Sequence, residues 1–510
     1  MIRRCLAAAG GGLLLALAFE PLGAAWLMPV AIALLLLSVR RERSSRAWLT
    51  GLCFGITFIC TLLWWLRAVG TDAWLALSAL EAAFFAPLGL GLALVSRLPG
   101  WPLWSSLLWV AVETWRGAWP FSGLPWGRLS YAVAGTPWEH GLPWIGMTGV
   151  SLLVAGTGAA LAWLVVTRAA RRAAAVLMTA GLAAGSLLPT VAAYPLEGEG
   201  SVTVAAVQGG VPGNDLVAVH REVTANHVTA TADLAADVEA GRLPAPDFVV
   251  WPENSTAVDP FTDPSANAGI ESAVDAIGVP VLVGAMVDHD RDPGQVLNQG
   301  IVWSPDTGGG DRYTKRHPVP YGEYIPLRDT GLLPTTYGQL SLIPRDMASG
   351  TRLEPLRIDG ALVADAICFD VAYDDGIHAQ VARGGQLLTV QTSNAMFIET
   401  AQVDQQFEIS RLRAVETGRW VVVAATSGIS GVIAPDGTVV AQSGRVVTEV
   451  LVEEVGLSST ITPAVRMGAW PGRVAVAGAV VSVLFAVGTY RGTNARRAPV
   501  PPEDREVART

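Results

Sequence analysis

Tyr194-Pro195-Leu196-Glu197-Gly198-Glu199-Gly200-Ser201-Val202-Thr203-Val204-Ala205-Ala206-Val207 marks the point where the pattern of this chain changes. Before it, apolar runs with almost no charge occupy residues 5–19, 24–39, 47–66, 73–95, 102–115, 142–166 and 173–193, and one more follows much later at 474–490. Most have the roughly 17–25 residues that a helix needs to cross a bilayer; the first two and the fifth are short. After the break, short β-rich runs alternate with helical stretches. The chain as a whole is 51% hydrophobic and 15% charged, with 18 tryptophans and a mean hydropathy of +0.40. That is too apolar for a soluble enzyme and too charged for a bare channel, so a polytopic membrane domain of about eight helices carrying a folded α/β domain is expected.

Charge orients it. Arg3/Arg4, Arg40/Arg41/Arg43/Arg46, Arg97, Arg168/Arg171/Arg172 and Arg491/Arg496/Arg497 fall on alternate connections, the pattern of cytoplasmic loops. The first run sits behind Arg3-Arg4 like a signal peptide, but further spans follow with no obvious small-residue cleavage site, so an uncleaved helix is expected. The alternation puts 194–455 of a multi-pass membrane protein outside the cytoplasm and both its termini inside. This block holds 35 of the 44 acids but 15 of the 35 bases, a formal charge of −20, which argues against nucleic acid as a partner. The expected division is 1–193 membrane helices, 194–455 extracytoplasmic catalytic domain, 456–490 connector and last span, and 491–510 a polar cytoplasmic tail.

Within the external block, residues 202–207, 248–251, 281–286, 300–303, 362–368, 387–391 and 420–425 read as buried strands, and 218–240 and 404–417 as helices. Asp306-Thr307-Gly308-Gly309-Gly310 reads as a hairpin turn; no Lys-Ser/Thr follows at the spacing of a phosphate loop. Three reactive side chains sit at strand ends. Glu253 follows the strand at 248–251 through Pro252. Lys315 follows 311–314, and Cys368 ends 362–367. Sites in α/β sheets gather at the carboxyl ends of strands, so the three are expected to converge.

Each is conspicuous for a different reason. Lys315 is the only lysine among 35 basic residues, and Arg316 stands beside it, so bulk charge was not what the position required. A compact ammonium fits where a planar guanidinium does not. Cys368 is the one cysteine of the external block, a liability in an oxidising compartment unless it is used; an inert buried thiol is the alternative. A thiol needs a base to become a nucleophile, a carboxylate can serve, and an ammonium can steady the oxyanion formed on an attacked carbonyl. Neither a metal nor a cofactor is expected: the six histidines are scattered, H-E-x-x-H is missing, and Gly428-Ile429-Ser430-Gly431 lacks the spacing of a serine nucleophile elbow.

On these residues the chain resembles the bacterial apolipoprotein N-acyltransferases, a membrane family of the nitrilase superfamily. The resemblance rests on Val250-Trp251-Pro252-Glu253-Asn254, on Tyr313-Thr314-Lys315-Arg316-His317-Pro318-Val319-Pro320-Tyr321-Gly322-Glu323-Tyr324-Ile325-Pro326 and on Ile367-Cys368-Phe369-Asp370. Weaker matches are Ala18-Phe19-Glu20-Pro21, Glu113-Thr114-Trp115-Arg116, Gly123-Leu124-Pro125-Trp126-Gly127, Arg413-Ala414-Val415-Glu416 and Ala425-Thr426-Ser427-Gly428, so it covers nearly the whole chain. It implies an αββα sandwich in which Glu253 is the base, Lys315 the oxyanion-stabilising cation and Cys368 the nucleophile, with Glu323, Phe369 and Asp370 in support. It further implies a ping-pong acyl transfer from membrane phospholipid, through a Cys368 thioester, to the α-amino group of a diacylated lipoprotein, by a monomer. Phe369-Asp370 departs from the family's usual Tyr-Glu, and 392–397 from a stretch that usually contains Asn-Asp and Trp.

Two other readings stay open at this stage: a membrane-tethered nitrilase-type amidase, with water in place of the amine, and a non-catalytic scaffold. The apolar segment 331–344, including Leu332 and Leu333, favours lipid substrates and is expected to act as an interfacial lid. Met396 and Phe397 are further candidates for substrate contact.

Overall fold

The computed structural model of the chain describes residues 1–167, 169–191, 194–211, 220–331 and 338–495. The apolar runs are helices: Ile2–Ala16, Leu27–Val39, Ser44–Leu62, Thr71–Ala83 with Phe85–Val95, Trp101–Arg116, Leu142–Val166, Ala169–Val191 and Trp470–Ala495. Among the described residues, Ser44–Leu62, Thr71–Val95, Glu139–Val166 and Trp470–Thr489 are long and apolar enough to cross a membrane; Leu27–Val39 and Arg172–Leu187 are shorter apolar helices.

Among the described residues thirteen strands follow the break: β1 Ser201–Gln208, β2 Phe248–Val250, β3 Val281–Asp288, β4 Gln295–Ser304, β5 Gly308–Thr314, β6 Asp346–Met347, β7 Leu356–Ile358, β8 Ala361–Ile367, β9 Leu387–Thr392, β10 Val421–Ala425, β11 Gly431–Ile433, β12 Val439–Gln442 and β13 Glu449–Gly456. One sheet has the order β13-β1-β2-β3-β4-β5, with β6 beside β4; the other runs β12-β11-β10-β9-β8-β7. The central pairs β1/β2, β2/β3, β8/β9 and β9/β10 are parallel. Their residues are buried on both faces, which is why they read as unbroken apolar runs. The turn between β4 and β5 falls at 305–307, and the three glycines expected in it open β5. Their bare backbone lets Phe261 and Trp303, stacked 5.4 Å apart, lie flat against Gly309.

The two sheets pack face to face through Val204, Phe248, Val250 and Leu282 on one side and Val363, Ile367, Leu387 and Val422 on the other. Helices His220–Glu239 and Pro264–Ile277 cover the outer face of the first sheet. The second of these starts on Asp263, which accepts from the Ser265 and Ala266 amides, has Pro264 in its first turn, and ends on Gly278 at φ 73°. The outer face of the second sheet carries Asp374–Ala382 and Ala401–Thr417. Here the sandwich stops being an independent body. Ala366, Val390, Val423, Leu412 and Val415 belong to one continuous core with Phe54, Phe58, Trp126 and Met147 of the membrane part.

Charged residues fasten this seam. Arg128 donates to both oxygens of Asp374 at 2.9 and 3.0 Å; Arg413 reaches Asp374 at 2.9 Å and Glu416 at 2.5 Å. Glu416 accepts the Met147 amide at 3.0 Å, where Gly146 at φ 67° breaks the helix Leu142–Val166, so a carboxylate of the sandwich caps the second half of this apolar helix. His378 Nε2 stands 3.2 Å from Glu416, near enough for charge but without hydrogen-bond geometry. Burial alone would raise the carboxyl of Glu416, but Arg413 and His378 outweigh it and hold the group at about 2; Asp374 is likewise held far below the usual range by Arg128 and Arg413. Both folded values lie below the unfolded ones, so this stabilisation is complete above the ordinary carboxylate pKa of roughly 4 and fades as pH falls through the folded values. Thermal unfolding followed from pH 7 towards pH 2 should show Tm falling mainly below about pH 4, and Asp374→Asn should remove part of that acid sensitivity.

Candidate active site

Each strand that carries a reactive residue ends at the same edge of the sandwich. The backbone after β2 turns through Pro252 to present Glu253, 3% exposed. A Cβ at Gly284 on β3 would stand 2.0 Å from the Pro252 carbonyl, so only glycine lets that turn sit down on the sheet. Thr426 Oγ1 holds the Glu253 carbonyl at 3.0 Å, and Gln391 Nε2 holds that of Trp251 at 2.6 Å.

Lys315 leaves the end of β5 with no exposed surface. Its Nζ donates to Glu253 Oε1 at 2.9 Å and to Glu323 Oε1 at 2.7 Å. Burial works against its charge, but Glu253, Glu323 and Cys368 together push its pKa well above the usual lysine value, so it stays an ammonium. Glu323 is fixed by the Val319 amide at 2.6 Å; burial, with the charge of Glu253 adding, raises its pKa.

Cys368 opens the single turn Cys368–Ala372 directly after β8, with φ 51°. A left-handed conformation costs a side-chain-bearing residue roughly 1–2 kcal/mol, and such strain persists where the surroundings over-determine it. The residue keeps partial exposure, yet the thiol is pushed up to about 12, first by burial and next by the charge of Glu253, against the opposing pull of Lys315 and Thr392. At neutral pH it is therefore a thiol that needs its proton removed.

Asp370 binds the Cys368 turn to the Lys315 loop. Its Oδ2 accepts the Tyr313 hydroxyl at 2.9 Å and the Arg316 amide at 3.2 Å, and its Oδ1 accepts the His317 amide at 2.8 Å. The shorter carboxylate at this position thus reaches the two backbone amides that follow Lys315 and the Tyr313 hydroxyl before it. Phe369 packs edge-on to Tyr373 at 5.1 Å and stacks at 6.3 Å on Trp126 of the membrane part. Trp126 lies 5.9 Å from Trp65, which meets Phe397 edge-on at 5.3 Å. Gln405 accepts from both indoles, at 2.7 and 3.2 Å. Met396 beside it is exposed. Leu332 and Leu333 lie outside the described residues. Flanking the segment 331–344, Arg328 forms a double ion pair with Asp346 at 2.7 and 2.9 Å.

Two contributors escaped sequence reading. Asn298 on β4 donates to Glu253 Oε1 at 2.8 Å, and the Ser393 amide donates to Oε2 at 3.1 Å. The only local signal was Asn298-Gln299 at the start of an otherwise apolar run.

Set beside known proteins, residues 11–160 match the apolipoprotein N-acyltransferase N-terminal domain, and residues 203–462 match carbon-nitrogen hydrolase. An apolipoprotein N-acyltransferase of Mycolicibacterium smegmatis is 37% identical over 94% of this chain and 84% of its own length. One of Gloeobacter violaceus is 32% identical over 91% and 90%. Among solved structures, an amidase from Nesterenkonia sp. aligns over 54% of this chain and 95% of its own at 16% identity, with a TM-score of 0.35.

Proposed function

The chain belongs to the apolipoprotein N-acyltransferase family, and on that premise we propose that Cys368 carries the acyl group, Glu253 moves the protons and Lys315 steadies the oxyanion. It is an acyltransferase of lipoprotein biosynthesis and a membrane protein with a nitrilase-like α/β domain. The observation that carries the assignment is the fully buried Lys315 ammonium held between Glu253 and Glu323 beside a strained cysteine.

In the first half-reaction Glu253 takes the thiol proton as sulfur attacks the ester carbonyl of a membrane phospholipid. Negative charge grows on the carbonyl oxygen, and Lys315, already desolvated and fixed, meets it without reorganisation. The C–O bond breaks and the proton passes from Glu253 to the leaving alkoxide, giving lysophospholipid and a Cys368 thioester. In the second, the α-amino group of a diacylglyceryl-cysteine attacks the thioester; Glu253 accepts the amine proton and returns it to the departing thiolate, leaving an amide. The aromatic series Phe397, Trp65, Trp126 and Phe369 supports an apolar approach for the acyl chain, with Met396 at its exposed end and Leu332 and Leu333 on the lid segment.

Among the described residues four of the helices that carry the apolar runs are long and apolar enough to cross a membrane; with the shorter ones we read eight crossings, and the alternation of arginines supports a catalytic domain outside the cytoplasm with both termini inside. The division at 194, 456 and 491 goes with that topology, as does action as a monomer without cofactor.

Purified protein incubated with phospholipid should acquire a hydroxylamine-labile acyl group on Cys368, which a diacylglyceryl-cysteine peptide then removes as an N-acyl product. Release of free fatty acid in place of that product would favour the amidase-like reading; no acyl-enzyme at all would sink both. Glu253→Gln should slow acylation by about 10²–10⁴-fold at neutral pH while phospholipid binding holds, because an amide cannot take the proton. Since the Glu253 charge is one cause of the high Cys368 pKa, raising pH should partly rescue this variant by ionising the thiol directly. Unchanged acylation with collapsed lipid affinity would make Glu253 a binding residue and Glu323 the next candidate for the base.

A further inference from the structure

Glu253 has two carboxylate oxygens, and their surroundings differ. Oε1 accepts from Lys315 Nζ at 2.9 Å and from Asn298 Nδ2 at 2.8 Å. Oε2 accepts from the Ser393 amide at 3.1 Å. A carboxylate oxygen has two in-plane lone pairs. Two close donors fill those of Oε1, whereas Oε2 keeps one free.

Asn298 is placed to hold this difference. Its side chain has no exposed surface, and its own backbone carbonyl accepts the Lys315 amide at 2.9 Å. One residue therefore grips the base through its side chain and the cation through its main chain. Its Oδ1 has no partner and is buried. Turning the amide over would set that oxygen against the carboxylate, so the orientation is fixed by charge. Leaving one amide oxygen unpaired is tolerable because a hydrogen bond to a charged group is among the strong ones.

We infer that Asn298 is the positioning residue of the general base: with Lys315 it saturates Oε1, so that the proton travels to and from Oε2. The inference rests on the reading of Glu253 as base. The charged and titratable groups facing this carboxylate are Lys315, Glu323 and Cys368. With Asn298 in place, donors on three sides favour the ionised carboxylate and pin its plane. Without it, Oε1 keeps Lys315 alone, and the carboxylate turns about its last bond.

The test is the pH profile of single-turnover acylation of Cys368 in phospholipid vesicles, for Asn298→Leu and Asn298→Asp. Loss of one hydrogen bond to a charged group should slow Asn298→Leu by about ten- to a hundredfold and move the acid limb of its profile up by roughly one pH unit. Asn298→Asp keeps the shape, loses the donor and adds repulsion, so its limb should move at least as far; it also carries the test if the leucine variant does not fold. A purely structural role would lower the amplitude of both profiles and leave the limb at the wild-type position, and that result would overturn the inference. Glu253→Gln, run alongside, separates the two levels. If it lacks the acid limb while both Asn298 variants keep the limb unmoved, only the Asn298 assignment fails. If Glu253→Gln itself retains the wild-type limb, the base assignment fails and takes this inference with it.

Discussion

Cys368→Ser should reduce acyl transfer to background while the protein remains folded and inserted in the membrane. The resting thiol is already pushed up to about 12, chiefly by burial. A serine hydroxyl in the same place starts from a far higher pKa and meets the same desolvation and the same neighbouring carboxylate. Glu253 can help a thiol across that gap because sulfur is strongly nucleophilic as it ionises; it cannot do so for an alkoxide. A second obstacle follows. Any oxygen ester that formed would be a poor acyl donor to an amine, so the cycle would stop halfway. The substitution is small, and residue 368 is partly exposed at the start of a turn, so the fold has little to lose. The measurement is N-acylation of a diacylglyceryl-cysteine peptide, with Tm as the control for folding. Transfer near the wild-type rate would end the assignment of Cys368 as nucleophile.

The parts of this molecule that sequence made legible are those whose signal is local. β2, β8, β9 and β10 stand out as apolar runs because both faces of each are buried. The residues that end β2, β5 and β8 could be brought together on paper because sites in α/β sheets gather at the carboxyl ends of strands, a rule that held here although β5 pairs antiparallel with β4. β13 was invisible. In Glu449-Val450-Leu451-Val452-Glu453-Glu454-Val455-Gly456 four apolar residues are interrupted by a pair of acids, and its partner β1 lies far back in the chain. The helix Pro264–Ile277 was missed despite its aspartate cap, because alanine, serine and asparagine dilute its apolar stripe. In the site, Glu253, Lys315 and Cys368 announce themselves by residue type. Asn298 and the Ser393 amide do not, since what matters is which atom meets Glu253 across a fold of 45 and 140 positions.

The seam between the two halves was equally hidden. Arg128 and Asp374 are 246 positions apart, and Gln405 meets Trp126 across 279. Nothing local says that a carboxylate of one half caps a broken helix of the other. These contacts explain why the outer helical layer of the second sheet cannot be peeled from the membrane part: the same helix Ala401–Thr417 covers β9 and β10, orients two indoles through Gln405, and supplies Arg413 to Asp374. Cys368 on the adjoining turn is thereby held at a fixed place relative to the apolar helices.

Lys315→Arg should slow thioester formation by about 10²–10³-fold, or roughly 2.7–4 kcal/mol of transition-state stabilisation, although the charge is conserved. The native ammonium is a point charge with three donors. Two are spent on Glu253 and Glu323 at 2.9 and 2.7 Å, which leaves one for the oxygen on which charge develops. A guanidinium in that space is too wide, and the pocket around the ammonium is closed: Lys315 has no exposed surface and Glu253 only 3%. Its planar fork would pair with a carboxylate side-on, drawing Glu253 away from Asn298 and from the thiol. The base and the oxyanion donor would be damaged together, so the loss should fall on the acylation rate more than on phospholipid binding. Single-turnover acylation against vesicle binding separates these, with Tm checking that an overpacked site has not simply unfolded. A folded variant within a few-fold of wild type would mean that no compact cation is needed, and the one lysine in the chain would be an accident of composition.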